Sequence, residues 1–386
     1  MTNPISFVRK KFQNPYNLPG RPVITGIGIV SPIGIGKDIF WKNLLAGETG
    51  LDKITLFDVS SFSLSNAAEV KNFQPEKYFN ERQLKHFPRA AQFASVAFQL
   101  AKEDASLNYF DPYRTDVVIG ASQISFFNTK EESYDEIFQL DEDASSTTLK
   151  TTILTPAGVI ANSIQSEGYV STIASACSGG IDAIGIAAKR IRDNESDYVI
   201  CGGVNTPITE NFINAFLKAK MLTSNEESPD THSPIHKKQT KPYLGEGSVV
   251  FIVEDRKKAI ARNAKIYAEI ASFSKAIENT NRAFQSKSST NKWKTNIPKT
   301  IRDKIPTPSV KEIVGREIES SSAFQIAIGA ISIYTGITPP TCNYFSDSKT
   351  NQHHSYKIKN FFKSRNFVVH GHDLSGVSTS ILLKDF

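Results

Sequence analysis

Two hydrophobic periods alternate along the chain. Short apolar, β-branched runs closed by Gly, Pro or Ser predict strands over Arg21–Val30, Thr115–Gly120, Tyr169–Ala176, Tyr198–Gly203, Ser248–Glu254 and Lys265–Phe273. Apolar positions that recur every three to four residues predict helices over Asp38–Leu45, Pro88–Ala105, Thr155–Ser166, 178–190 and Ser321–Thr335. In the second of these, Ala91, Phe93, Ala94, Ala97, Phe98 and Ala101 make a wide apolar face. Asn366–His370 and Ser378–Lys384 read as closing strands. Residues 48–80 read as loop, and the acidic stretch Lys130–Asp143 as a solvated excursion. The order strand 169–176, helix 178–190, strand 198–203 predicts a β-α-β unit with parallel pairing.

The most abrupt change of period falls at one residue. Tyr169–Ala176 is β-branched or small enough for a buried strand, Ile181, Ile184, Ile186 and Ala187 then follow at helical spacing, and Cys177 stands at the turn. A thiol at such an elbow is surrounded by backbone N–H groups of the new helix, whose dipole favours a thiolate. Gly179 and Gly180 leave room beside the sulfur for a bulky thioester. A cysteine of this kind is suited to nucleophilic chemistry, whereas Cys201 and Cys342 read as packed side chains.

Composition narrows the setting. A chain of 386 residues with 39% apolar content is long enough for two or three core units. Its formal charge of +6 is too mild to suggest nucleic acid and more compatible with an acidic protein partner. Three cysteines point to a reducing cytoplasm, no cluster has metal-ligand spacing, and neither a signal peptide nor a membrane span is expected. Between Glu278 and Lys304, Arg282, Lys287, Lys292, Lys294, Lys299, Arg302 and Lys304 outnumber the acids in a stretch without apolar period, read as a basic surface loop.

The segment Thr172-Ile-Ala-Ser-Ala-Cys-Ser-Gly-Gly180 resembles the nucleophile motif of β-ketoacyl-acyl carrier protein synthases, the condensing enzymes of fatty acid and polyketide assembly. Pro22–Gly34, Cys201-Gly-Gly203, Leu244-Gly-Glu-Gly247 and Ser309–Gly315 match further family motifs in the same order. The resemblance implies an α/β, thiolase-like fold of five αβαβα layers built from two similar halves. The corresponding division is an extension over 1–20, an N-terminal half over 21–254 and a C-terminal half over 255–386. It echoes in the chain itself, where Pro308–Val314 leads into the helix 321–335 much as 169–176 leads into 178–190.

The resemblance also implies site roles. Cys177 takes the place of the acyl-carrying nucleophile and Lys311 that of an ordering lysine. Condensation further needs two neutral imidazoles that polarise a malonyl thioester as its carboxylate leaves. No histidine occurs between Ser274 and Pro308, where a His-Gly-Thr segment belongs, and Arg316 stands after Gly315 where the second histidine belongs. An arginine stays protonated and only donates, so it cannot act as a neutral imidazole. The glycine-rich loop that should supply an oxyanion N–H reads His370-Gly-His-Asp-Leu-Ser-Gly376, in which Gly376 fits and His370 and His372 are substitutes if the loop folds inward. His232 and His236 read as surface residues.

A retained thiol without the decarboxylation apparatus predicts a chain-length-factor-like subunit that pairs with a complete ketosynthase and meets acyl carrier protein. The heterodimer is favoured, with a homodimer as the other arrangement. Two enzyme readings stand beside it: an acyltransferase or thioester-processing enzyme using Cys177 without decarboxylation, and an active ketosynthase with relocated bases. None of the three requires a cofactor or a metal.

Overall fold

The computed structural model describes residues 20–122, 152–222, 243–277, 320–339, 365–372 and 377–386. The chain opens with strand β1 (Pro22–Ser31), turns through β2 (Gly34–Ile35) and enters helix α1 (Lys37–Ala46). A small hairpin, β3 (Leu51–Lys53) and β4 (Asn66–Ala68), precedes helices α2 (Glu81–His86) and α3 (Arg89–Asp104), strand β5 (Thr115–Gly120) and helix α4 (Thr155–Ser163). Next come β6 (Val170–Ile173), α5 (Gly179–Arg192), β7 (Tyr198–Asn205), α6 (Glu210–Lys218) and β8 (Gly247–Asp255). Helix α7 (Arg256–Ala261), β9 (Ala268–Ile277), α8 (Ser321–Thr335), β10 (Asn366–His372) and β11 (Val377–Lys384) complete the described residues.

One mixed sheet runs β10-β11-β9-β1-β8-β7-β5-β6, with β2 attached to β1. The join between β1 and β9 is short, Val23↔Glu269 and Ile24↔Ala268, and divides the strands into two groups, or wings. Helices α5 and α8 lie between the wings: Ile181, Ile184 and Ile328 share one core with Ile27 and Phe251 of one wing and Phe367 and Ile381 of the other. The opposite face of the first wing is covered by α3 and α4, through Phe93, Ala97, Ile160, Ile200 and Ile252. Four of the five expected layers are thereby traced among the described residues. The odd step from Ile24 to Ile27 on one face of β1 reflects the register shift between Ile24 and Gly26, which inserts a residue and restores the two-residue alternation afterwards.

Residues 48–80, expected as loop, carry the β3–β4 hairpin, and two further points differ from the pattern reading. Strands β6 and β7 are parallel but do not pair with each other, since β5 lies between them, pairing Val117↔Val170 on one side and Val117↔Ile200 on the other. Segment 169–176 is also not a fully buried strand: β6 is the edge of the sheet among the described residues, half-buried along its length, with Tyr169 41% exposed. Local capping helps to start the short helices: α2 begins on a reciprocal Asn80–Gln83 capping box and α7 on Asp255, while α6, capped by Thr209, also packs an apolar face of Phe212, Ile213, Phe216 and Leu217.

Candidate functional site

The nucleophile candidate sits where the sequence places it. After Ile173 the chain leaves β6, makes a single 3-10 turn over Ala176–Ser178 and enters α5 at Gly179. Cys177 is a free, half-buried thiol in that turn, while Cys201 is fully buried in β7. Burial pushes the Cys201 thiol far above its ordinary range. The turn is closed by Ser178, whose N–H and hydroxyl both donate to the Ser175 carbonyl, at 3.2 Å and 2.9 Å.

Gly179 and Gly180 serve packing rather than an open approach. A Cβ on Gly180 would lie 2.9 Å from that of Ala323, and the neighbouring backbone of Gly179 abuts Gly120 at the end of β5. Both glycines are buried. They let α5 meet α8 and β5 closely enough for the Ser322 hydroxyl to accept a 3.2 Å bond from the Ile181 N–H. The N-terminal turns of α5 and α8 therefore converge beside Cys177.

Two residues that the sequence motifs do not single out complete this corner. Asp182, in the first turn of α5 and 4% exposed, accepts from the Ser175 hydroxyl and, at 2.7 Å, from the Lys275 ammonium of β9. The signal available in sequence was one acid on an otherwise apolar helical face. Lys275 had none, since it lies 93 residues away along the chain.

The C-terminal strand pair meets the same turn. A Cβ on Gly371 of β10 would come within 3.0 Å of Ile181 Cδ1 and 3.2 Å of Ser178 Cβ, so this face of β10 looks onto the Cys177 turn. Alternate residues of a strand point to opposite faces. Accordingly His370 lies on the other face, with its Nδ1 2.8 Å from the Ser380 hydroxyl of β11, directly opposite in register. His372 is the last residue of β10 and pairs in register with Ser378. Lys311, Arg316, Gly376, Cys342, His232, His236 and the basic stretch 278–304 lie outside the described residues.

The Leu244-Gly-Glu-Gly247 motif has a different task. Glu246, fully buried, receives Arg89 Nε at 2.8 Å and Nη2 at 2.6 Å together with the Val70 N–H at 2.9 Å. Burial disfavours the Arg89 charge, and the Glu246 carboxylate more than offsets this, leaving the guanidinium above its ordinary range. The motif thus ties α3 to the chain before β8. Among the described residues no group of three His, Cys, Asp or Glu side chains is arranged to hold a metal, and no helix is long and apolar enough to cross a membrane.

Residues 21–259 match the family described as beta-ketoacyl synthase, N-terminal domain. The 3-oxoacyl-[acyl-carrier-protein] synthase 2 of Staphylococcus aureus strain N315 is 31% identical over 257 residues, 66% of this chain and 62% of that protein. Its counterpart from Coxiella burnetii is 34% identical over 258 residues, with the same 66% and 62% coverage. Each match therefore spans less than two thirds of the relative's length. The tetracenomycin polyketide synthase ketoacyl synthase alpha subunit of Streptomyces glaucescens is 27% identical over 377 residues, 84% of this chain and 87% of that one. Among solved structures, the ishigamide ketosynthase/chain length factor superposes with a TM-score of 0.80 at 21% identity, over 95% of this chain and 100% of that chain. A beta-ketoacyl synthase from Burkholderia phymatum STM815 gives 0.81 at 18% identity, with the same coverage. At these identities the likeness establishes the fold, which is thiolase-like.

Proposed function

From the premise that the chain belongs to the β-ketoacyl synthase family, we propose that it is a chain-length-factor-like subunit of fatty acid, polyene or polyketide assembly, working beside a complete ketosynthase. The observation that carries this reading is the position of His370. It is one of the two histidines, with His372, that sequence offers to stand in for the missing pair, yet it is turned to Ser380 on the face of β10 away from the Cys177 turn. With Arg316 in the other histidine's position, two polarising groups are lost, each worth roughly 10²- to 10⁴-fold. An arginine that holds the malonyl carboxylate would stabilise the ground state and oppose its departure.

Assembly follows the sheet edge. Strand β6 ends the sheet and leads straight into the nucleophile turn, so a second subunit that adds its own β6 would continue one sheet and seal the side of the site. Acyl carrier protein, as the donor of the acyl thioester, is the further partner. A second reading is favoured by the half-buried free thiol of Cys177: an acyltransferase that loads and releases an acyl group without decarboxylation.

The deciding experiment incubates the purified protein with acyl- and malonyl-carrier protein, alone and with a complete ketosynthase co-expressed from the same source. The expected outcome is no β-ketoacyl product alone and a product whose chain length depends on this subunit in the mixture. Product from the protein alone that disappears in Cys177→Ala overturns the proposal. Acyl transfer without carbon dioxide release moves it to the second reading.

A further inference from the structure

Asp182 poses an electrostatic problem that the proposed chemistry of Cys177 does not need. It places a carboxylate, its side chain 5% exposed, in the first turn of the helix that follows the thiol. Through Ser175 it also touches the segment that precedes the thiol, so the carboxylate braces both flanks of the turn. Its Oδ2 accepts both described bonds, while Oδ1 is buried with no partner among the described residues. A negative charge fixed in this turn, with little water to screen it, disfavours a second one in the same turn.

We infer that Lys275 is the charge-compensating residue of the nucleophile turn: by pairing with Asp182 it lets the carboxylate brace the turn without suppressing the thiolate of Cys177. Its ammonium lies 2.7 Å from Asp182 Oδ2, reaching from β9 in one wing to α5 in the middle layer. The other described elements packed on this corner contribute uncharged groups: Ser322 from α8, Gly371 from β10, Thr379 from β11 and Gly120 from β5. Thr379 stands opposite Lys275 in register. His370 faces the far side of β10 and takes no part. The 42% exposure of the Lys275 side chain makes it replaceable without opening the core. Lys275 is a positioning residue in this scheme, since it acts on the sulfur through Asp182.

The inference rests on Cys177 being a reactive thiol, and its test separates the two. Alkylation of Cys177 by iodoacetamide is followed by mass spectrometry at neutral pH in the full-length protein and in Lys275→Met, Lys275→Arg, Asp182→Asn and the double variant Lys275→Met/Asp182→Asn, with thermal unfolding of each. Lys275→Met should slow Cys177 by about 3- to 10-fold, an uncompensated charge being attenuated by solvent and by the partial dependence of rate on thiol basicity. Lys275→Arg should react like the unaltered protein. The double variant should return to within about twofold of it, which loss of a merely structural bond cannot produce. A double variant no faster than Lys275→Met, or an unchanged rate in Lys275→Met, overturns the inference while leaving Cys177 reactive. A Cys177 no more reactive than Cys201 in the unaltered protein overturns the inference together with its premise. If Lys275→Met fails to fold, Lys275→Gln takes its place in the same comparisons.

Discussion

The Cβ that Gly120 lacks would sit 2.5 Å from the carbonyl carbon of Gly179. The three nearest atoms all belong to the backbone of Gly179 or Gly180, so the contact cannot be relieved by a side chain moving aside. Gly120→Ala should therefore push α5 off β5, costing about 1–3 kcal/mol or more. The measured consequence is a lower unfolding midpoint together with an altered alkylation rate at Cys177, because the displaced helix begins two residues after the thiol. A variant as stable as the unaltered protein would mean that the two backbones are not held at this distance.

The two described cysteines should part company toward alkylating reagents. Cys177 is half-buried in a surface-reaching turn, whereas Cys201 is fully buried and its thiol is pushed up by that burial. Brief iodoacetamide treatment of the folded protein should label Cys177 and spare Cys201 until denaturant is added. Peptide mapping checks this, and comparable labelling of both would place the elbow elsewhere.

Acid should loosen the junction between the wings. Burial raises the Glu269 carboxyl, but bonds from Arg21 and Lys384 outweigh it and hold the group below its ordinary value of 4.5. A carboxyl depressed in the folded state stabilises it above the unfolded value, and that stability is lost as pH falls through the folded one. Glu269→Gln should thus be less stable than the unaltered protein near pH 7, and the difference should shrink as pH drops below about 4.5. Unfolding midpoints taken from pH 7 to pH 3 test the sign: a gap that widens on acidification would contradict it. Asp197, lowered by Lys258 and Arg114 against its own burial penalty, titrates with the same sign beside the start of β7.

Strand β6 should be the seam of any dimer. The Tyr169 and Ile173 carbonyls accept from Val117 and Ala121, so the alternation along the strand turns the backbone groups of Val170 and Thr172 to the open edge. Proline at position 172 removes one outward N–H and none of the bonds to β5, and edge strands tolerate it. Thr172→Pro should fold with a near-unchanged circular dichroism spectrum while shifting size-exclusion elution from dimer to monomer at micromolar concentration. A dimer that persists would assign the interface to another surface.

Much of this arrangement was legible from one-dimensional pattern. Helix 321–335 is found with the predicted ends, β5 with both of its own, and the strand-to-helix change at Cys177 within a few residues. Those elements bury one face or lie wholly inside the core, and burial imposes a period that a linear reading detects. The reading of Gly179 and Gly180 as open space failed for the complementary reason: whether a missing side chain admits a ligand or another backbone depends on what lies opposite, and that is Gly120 and Ala323. Sequence by itself determined the strand-turn-helix elbow, the family motifs, the absence of histidine between Ser274 and Pro308 and the arginine at position 316. Tertiary structure alone decided that β6 is an edge, that β5 separates it from β7, that His370 turns to Ser380, and that Lys275 reaches Asp182. Local period is set by neighbours a few residues apart, whereas these four relationships depend on which face of which strand meets which helix across tens of residues of chain.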